Sequence, residues 1–421
     1  MTILNSVTWR IIAQRLLFSL GILLFIRVGS FLPVPVVNHT DLAIYIQTHP
    51  LTRSFVSTFS GEETFIIGLF TLNIFPYINA SILVQLLTAF SPALSQLRKE
   101  GDLKSRRSLN QLTRIVTLIL AIIQSIGIGL YLRQVLFNWN IGLFLQVILW
   151  LTTGTIIVLW LSELITDFGL GNGASLLIYT NIISSFPNLL KTILIEISQN
   201  VNILSIILAS GLIIISLIGI LLLQDSVREI PLISSKQLNR RAPNSYSKID
   251  IYLPLKLNQA GVMPIILTTA ILVLPGYLSN LSILPSINFI NLGIFSKIFY
   301  WIGYFVLIVG FSLFYANIIL SPKDISEQLQ KASVAIPGIR PGIQTAFYLK
   351  KVMQRLTLIG ALTLGVLATF PNLIEAILNT SSLNGLSTTS LLIITGVLAD
   401  IWREIEDVVY SNVYKKNNFK F

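Results

Sequence analysis

Few residues in this chain have the type and spacing for chemistry. His39 and His49 are the only histidines. A metal site or a general base built on them would need an acidic or third-ligand pattern, and Asp41 near His39 is the lone acid between them and makes none. The chain has no cysteine, which removes thiolate nucleophiles, disulfides and thiolate-bound metal. No Ser/His/Asp order, His-Glu-x-x-His or phosphate-loop lysine stands in a workable context. The glycine-rich stretch FGLGNGAS, residues 168–175, has the wrong spacing for dinucleotide binding and no strand–helix–strand setting. Its glycines predict a tight turn with positive φ. Within the apolar runs, the ionisable residues that stand out are Arg27, Glu163 and Asp167. Ion-coupled transport would place such groups in several membrane spans. The chain is expected to be neither an enzyme nor cofactor-dependent.

The informative polar residues are uncharged. Leu69–Leu87, LFTLNIFPYINASILVQLL, is apolar enough to enter a bilayer, yet it carries Asn73, Pro76, Asn79 and Gln85. Lipid rewards none of them, and Pro76 removes a backbone donor and disturbs the preceding turn. Polar or non-helical backbone at membrane depth persists only against protein or a water-filled cavity. This stretch is therefore expected to line a path through the membrane.

The elements that would position it follow from composition. The 421 residues are 53% hydrophobic and 11% charged, with a mean hydropathy of +0.78. Soluble domains carry about 25% charge. A spanning helix needs roughly 20 apolar residues. Such runs occur at Leu16–Leu32, Ile74–Phe90, Leu112–Leu132, Leu143–Ser162, Ala174–Leu190, Ile203–Leu223, Ala260–Leu278, Phe299–Leu320, Leu356–Ile377 and Leu386–Trp402. The expected fold is an all-α polytopic membrane protein of about ten transmembrane helices. The first run reads as a retained signal anchor, because no small-residue cleavage site precedes it.

The net charge of +11 is unevenly placed. Lysine and arginine gather in the amino-terminal segment, between the second and third spans, in the basic loops 224–257 and 321–355, and in the tail. The alternate loops hold only Arg53, Arg133, Lys191 and Lys297. The positive-inside rule then puts both termini on the cytoplasmic or stromal side. Topology and attraction to anionic lipid account for the charge. They do not account for Pro337–Gly342, PGIRPG, where two Pro-Gly pairs bracket Ile339 and Arg340. Proline fixes φ and glycine permits turns, so this segment is expected to display one guanidinium on a stiff tip, suited to carboxylate or phosphate.

With these motifs the chain resembles the SecY family of protein-conducting channels along essentially its whole length. The similar stretches are FIRVGSFLPVP (25–35), IFPYINASILVQLLT (74–88), KEGDLKSRR (99–107), QSIGIGLYL (124–132), GLGNGAS (169–175), LPLKLNQAGVMP (253–264), PGIRPGIQTAFYLKKVMQRLTLIGAL (337–362) and TSLLI (389–393). The resemblance implies two pseudo-symmetric, inverted five-helix halves, 1–190 and 191–421, around a central pore. It implies an apolar pore ring of Ile74, Ile78, Ala174, Ile178, Ile266 and Ile393. Such a ring blocks ions by dewetting. Ala174 departs from the bulkier residue usual there, which leaves a gap or a neighbour to fill it. A plug segment is implied at about 53–64, in the long first loop. A lateral gate with Gln85, Thr88, Gln124 and Asn258 as polar members is implied between the second and third spans and the seventh and eighth.

The resemblance also implies partners. Arg240, Arg241 and Arg340 match loops that dock the SecA motor ATPase or the ribosome. A SecE-like small membrane subunit, a SecG-like subunit, signal-bearing preproteins and membrane lipid complete the set. The implied function is a passive conduit for unfolded preproteins across the membrane and sideways into it. The alternative from another class is a secondary transporter of a small solute. Asn/Ile-rich usage and short ends favour a plastid thylakoid membrane, with a bacterial inner membrane as the alternative.

Overall fold

The computed structural model describes residues 6–34, 68–100, 102–131, 140–184, 203–234, 251–259, 261, 263–265, 267–268, 294–319, 321–378 and 388–418. The segment 53–64, both histidines, Arg240, Arg241 and Ile266 lie outside them. The chain divides into two compact units, Met1–Ile195 with Val397–Phe421, and Glu196–Gly396.

The first unit contains α1 (Ser6–Ser30), α2 (Phe75–Phe90), α3 (Pro92–Glu100), α4 (Leu103–Tyr131) and α5 (Ile141–Phe168), followed by the short α6 (Gly173–Ser184). Trp9–Ser30, Lys104–Leu130 and Ile141–Phe168 are long and apolar enough to cross a bilayer. Helix α4 packs on both α2 and α5, and α1 packs on α5. Leu17, Leu24, Phe25 and Val28 on α1 are exposed, which is the face a lipid tail would cover. Asn140 starts α5 by accepting a hydrogen bond from the Gly142 amide at 3.4 Å.

The second unit contains α7 (Ile203–Asp225), β1 (Val227–Ser234), β2 (Ile251–Lys256), α8 (Ile294–Ile319), α9 (Pro322–Lys331), β3 (Val334–Ala335), α10 (Ile343–Leu378) and the start of α11 (Thr388–Asn418). Residues 263–265, 267 and 268 are also helical, within the expected seventh span. Its membrane core joins Ile220 and Leu223 of α7, Tyr304 and Ile308 of α8, Leu364 and Ala368 of α10, and Leu391. Buried hydroxyls in the apolar helices bond to carbonyls one turn back, as at Thr117 to Thr113 (2.7 Å), Ser125 to Ala121 (2.7 Å) and Thr369 to Gly365 (2.9 Å). These three therefore enter the core with their donors satisfied, whereas the Ser312 and Tyr315 hydroxyls of α8 are buried with no partner among the described residues.

Besides the short helices α3 and α9, a small sheet lies outside the expected spans. A three-stranded antiparallel sheet in the order β2-β1-β3 ties the loop after α7 to the loop after α8. Ile230, Leu232 and Leu255 from its strands pack with Ile336 and with Leu349, Val352, Met353 and Leu356 of α10. The basic loops thus share a small hydrophobic core with the start of a membrane helix. Leu349 is fully buried there, so Leu349→Ala is expected to cost about 2–5 kcal/mol of local stability. Trypsin should then cut within 321–355 faster in the variant while the membrane-buried helices stay protected; equal cleavage rates refute this.

Candidate functional site

The stretch Leu69–Leu87 is not one helix. Residues 68–74 form successive tight turns and α2 begins only at Phe75. The Leu69 amide donates to the Leu32 carbonyl (3.0 Å), beside a bridge between Pro33 and Gly68. Amides of Thr71, Asn73 and Phe75 donate three residues back, to Gly68 (3.2 Å), Phe70 (2.9 Å) and Leu72 (3.2 Å). The Thr71 hydroxyl also donates to Gly68 at 2.7 Å. Phe70, Leu72 and Ile74 are buried. This is irregular backbone wrapped in protein, with its polar groups answered locally.

Close approach depends on glycine. A Cβ at Gly154 of α5 would overlap the Leu69 carbonyl, one at Gly29 of α1 would overlap the Phe70 ring, and one at Gly68 would overlap the Ser30 carbonyl. Pro76 sits in the first turn of α2, where a missing amide costs nothing. The expectation that it disturbs a preceding helical turn is corrected: no helix precedes it. The Ile74 carbonyl accepts the first helical bond, from Ile78, at 3.1 Å. Ile74 and Ile78 therefore stand one turn apart, both buried at 2% and 8% exposure.

Asn73 prepares this start. Its φ is +45°, in the left-handed region that asparagine and glycine tolerate. Its Oδ1 accepts from the Ile74 amide at 2.8 Å, and its Nδ2 donates to Asn181 Oδ1 on α6 at 3.0 Å. Sequence reasoning singled out Asn73 but not Asn181. The available signal was a lone amide in the apolar α6, seven residues after Ala174.

The turn GLGNGAS sets α6. Gly171 has φ +82°, as its sequence predicts. The Gly169 amide donates to Ile165 (2.7 Å), the Leu170 amide to Ser19 Oγ of α1 (3.0 Å), and the Gly173 amide to Thr166 Oγ1 (2.9 Å). The Gly171 amide donates to Glu404 of α11. Asn172 Oδ1 accepts from the Ala174 amide at 3.0 Å and caps α6. Ala174 and Ile178 are both half-buried on α6. Ile393, at the start of α11, is half-buried too.

Most of the other singled-out residues have partners. Arg27 lies over the Phe31 ring at 5.2 Å. Glu163 receives a two-pronged ion pair from Arg114, at 2.8 and 2.7 Å, which clamps α4 to α5; Asp167 is exposed. Gln85 donates to Ser81 at 3.3 Å and Thr88 donates to the Gln85 carbonyl at 2.7 Å, both within α2. Gln124 has its Oε1 buried with no hydrogen-bond donor among the described residues. Asn258 donates to the Gly261 carbonyl at 3.1 Å.

At the basic tip, Gly338 and Gly342 have φ of +77° and +103°. The Ile339 amide closes a turn onto Ile336 at 3.1 Å, and Ile339 packs on the small core below the sheet. The Arg340 carbonyl accepts from Thr345 Oγ1 at 2.9 Å, and the Gly342 carbonyl accepts from Ser326 Oγ at 2.7 Å. Arg340 is exposed on this tied turn, at the rim of an open groove of about 620 Å³ lined by Ile233, Val334 and Pro337 among others. The stiff display of one guanidinium is present as expected.

Known proteins resemble this chain in sequence and in fold. The SecY family pattern matches residues 68–402. A protein translocase subunit SecY from Trieres chinensis is 54% identical over 409 residues, covering 95% of this chain and 96% of its own. The SecY subunit of Guillardia theta is 41% identical, with 98% and 99% covered, and that of Synechocystis is 39% identical, with 95% and 93% covered. Among solved structures, a SecY channel described for its plug domain aligns with a TM-score of 0.66 at 18% identity, over 94% of this chain and 92% of that one. A protein-conducting channel aligns at 0.64 and 19%, over the same shares. None of these relatives is a solute transporter or an enzyme. The chain belongs to the SecY family, the channel-forming subunits of the protein translocase.

Proposed function

We propose that the two halves, 1–190 and 191–421, enclose a pore whose seal is the apolar ring Ile74, Ile78, Ala174, Ile178, Ile266 and Ile393. The observation that supports this most is the construction around Ile74. A buried, non-helical segment ends on it, and α2 starts there with Ile78 one turn on. Branched apolar side chains exclude water and ions without a charged gate. They also offer a passing polypeptide no hydrogen bonds to hold it. Residues 53–64 serve as the plug segment.

The seam bearing Gln85, Thr88, Gln124 and Asn258 opens toward lipid. Gln85 and Thr88 bond within their own helix, so parting the seam breaks little there. Polar pairs between membrane helices contribute only about 0.6 kcal/mol on average. A signal sequence of modest affinity is enough to open it. The driving force comes from outside the chain, from a SecA motor or from a ribosome docked through Arg340, Arg240 and Arg241. The solved relatives include the channel in a canine ribosome–channel complex from the endoplasmic reticulum, with a TM-score of 0.61. A SecE-like subunit, and a SecG-like one, cover lipid-facing helices. The membrane is the plastid thylakoid, and the positive-inside distribution of charge puts both termini in the stroma.

Three experiments test these assignments. A photocrosslinker at Ile178 should form an adduct with a stalled secretory precursor; no adduct with any stalled precursor removes Ile178 from the path. Replacing Ile78, Ile178 and Ile266 together with serine should make the resting channel conduct ions in planar bilayers, and an unchanged conductance would falsify the ring. Arg340→Glu should slow motor-driven translocation while accumulation and membrane insertion stay normal, because the turn is held by backbone and hydroxyl contacts. Wild-type export rates in that variant remove Arg340 from docking, and a ribosomal RNA contact at the site should weaken steeply with salt.

A further inference from the structure

Asn73 and Asn181 form a side-chain clasp beside four of the six ring residues. We propose that this pair is a positioning device that holds Ile74 and Ile78 of α2 and Ile178 of α6 in one fixed register, so that these parts of the seal move as a single body. The proposal rests on the ring reading above.

The geometry supports it from three sides. Asn73 precedes Ile74, and its Oδ1 takes up the Ile74 amide at 2.8 Å. With that oxygen engaged, its amide nitrogen is left to face Asn181, which it reaches at 3.0 Å. The carboxamide plane is therefore fixed at both ends. Ala174, Ile178 and Asn181 follow the i, i+4, i+7 spacing of one helix face. Asn181 thus stands about 4.5 Å along the helix axis from Ile178. Asn73 is 8% exposed, so parting the pair would leave a carboxamide without a partner in a medium poor in water.

Asn73 also meets a backbone demand. At φ +45°, only asparagine and glycine are comfortable among common residues. Glycine would supply the φ without the amide; asparagine supplies both. That separates a backbone role from a clasp role. Asn73→Gly keeps the turn and removes the hydrogen bonds. Asn181→Leu keeps the volume on α6 and removes the acceptor.

The test is a double-mutant cycle on the assembled channel complex in planar bilayers, with leak conductance as the readout. Losing one interhelical hydrogen bond of ordinary strength shifts a closed-to-leaky balance by about threefold. Asn73→Gly and Asn181→Leu should each raise the leak by about that factor. The double variant should leak no more than either single, since the bond can be lost only once. Precursor translocation driven by the motor should stay near wild type in all three. A tight Asn181→Leu channel, or a double variant whose leak is the product of the two, overturns the clasp. Should Asn181→Leu not accumulate, Asn73→Gly alone decides: its leak must rise. The serine triple at the ring separates the two ideas. A leaky triple with a tight Asn181→Leu sinks only the clasp, whereas a tight triple sinks the ring on which it rests.

Discussion

Hydrocarbon offers no water, so every backbone amide and carbonyl at membrane depth must find its partner within the protein. Regular helices meet this demand without help. Residues 68–74 of the first unit are not helical and must meet it by other means. They do so with three-residue turns, a hydroxyl from Thr71 and a carboxamide from Asn73. An unsatisfied backbone group there would cost several kcal/mol, whereas a side-chain pair between membrane helices contributes about 0.6 kcal/mol. Backbone satisfaction therefore dictates the architecture, and the side-chain pairs adjust it. The glycines at positions 29, 68 and 154 belong to the same requirement. They let neighbouring backbone come close enough to exclude lipid from the turns.

The same demand shapes the approach to α6. That helix is short, so its placement depends on what precedes it. In the turn from Gly169 to Gly173, four amides are answered in succession by Ile165, Ser19, Glu404 and Thr166. Those partners come from α5, α1 and the final helix. A five-residue turn thereby fixes α6 against three other elements of the unit. A Cβ at Gly173 would overlap the Ser162 carbonyl, so the turn also lies flush against α5. Ile178 and Asn181 are carried on the helix that this turn anchors.

How much of this the sequence disclosed depends on which physical signal carries each feature. Apolar runs reveal spans because length and hydropathy are what a bilayer selects, and each expected span meets helix among the described residues. The switch from turn to helix at Phe75 was hidden, because LFTLNI has the composition of a buried helix. Only Pro76 in a first turn and Asn73 two residues upstream of the helix start hinted at it. The small sheet was hidden for a different reason. Pro231 and Pro254 sit within its paired strands, and proline in a run argues against a strand. The basic charge of those loops announced their side of the membrane but said nothing of their structure. Asn181 escaped notice because one carboxamide in an apolar helix has no meaning until its partner is known.

The sheet changes how the basic tip should be understood. Two loops far apart in sequence are paired strand to strand, and their apolar faces bury Leu349, Val352 and Met353 of α10. That helix continues unbroken from Ile343 to Leu378, a rod of about 54 Å. The turn bearing Arg340 is bonded to both the rod and α9, through Thr345 and Ser326. A flexible loop would lose conformational freedom on meeting any partner, and that loss weakens binding. Here the loss is already taken in folding. The charge on Arg340 is presented from a base continuous with α10, so a partner of the proposed docking would meet a guanidinium whose direction is set relative to that helix. A lysine-rich random loop of equal charge would attract the same partner without giving it a direction.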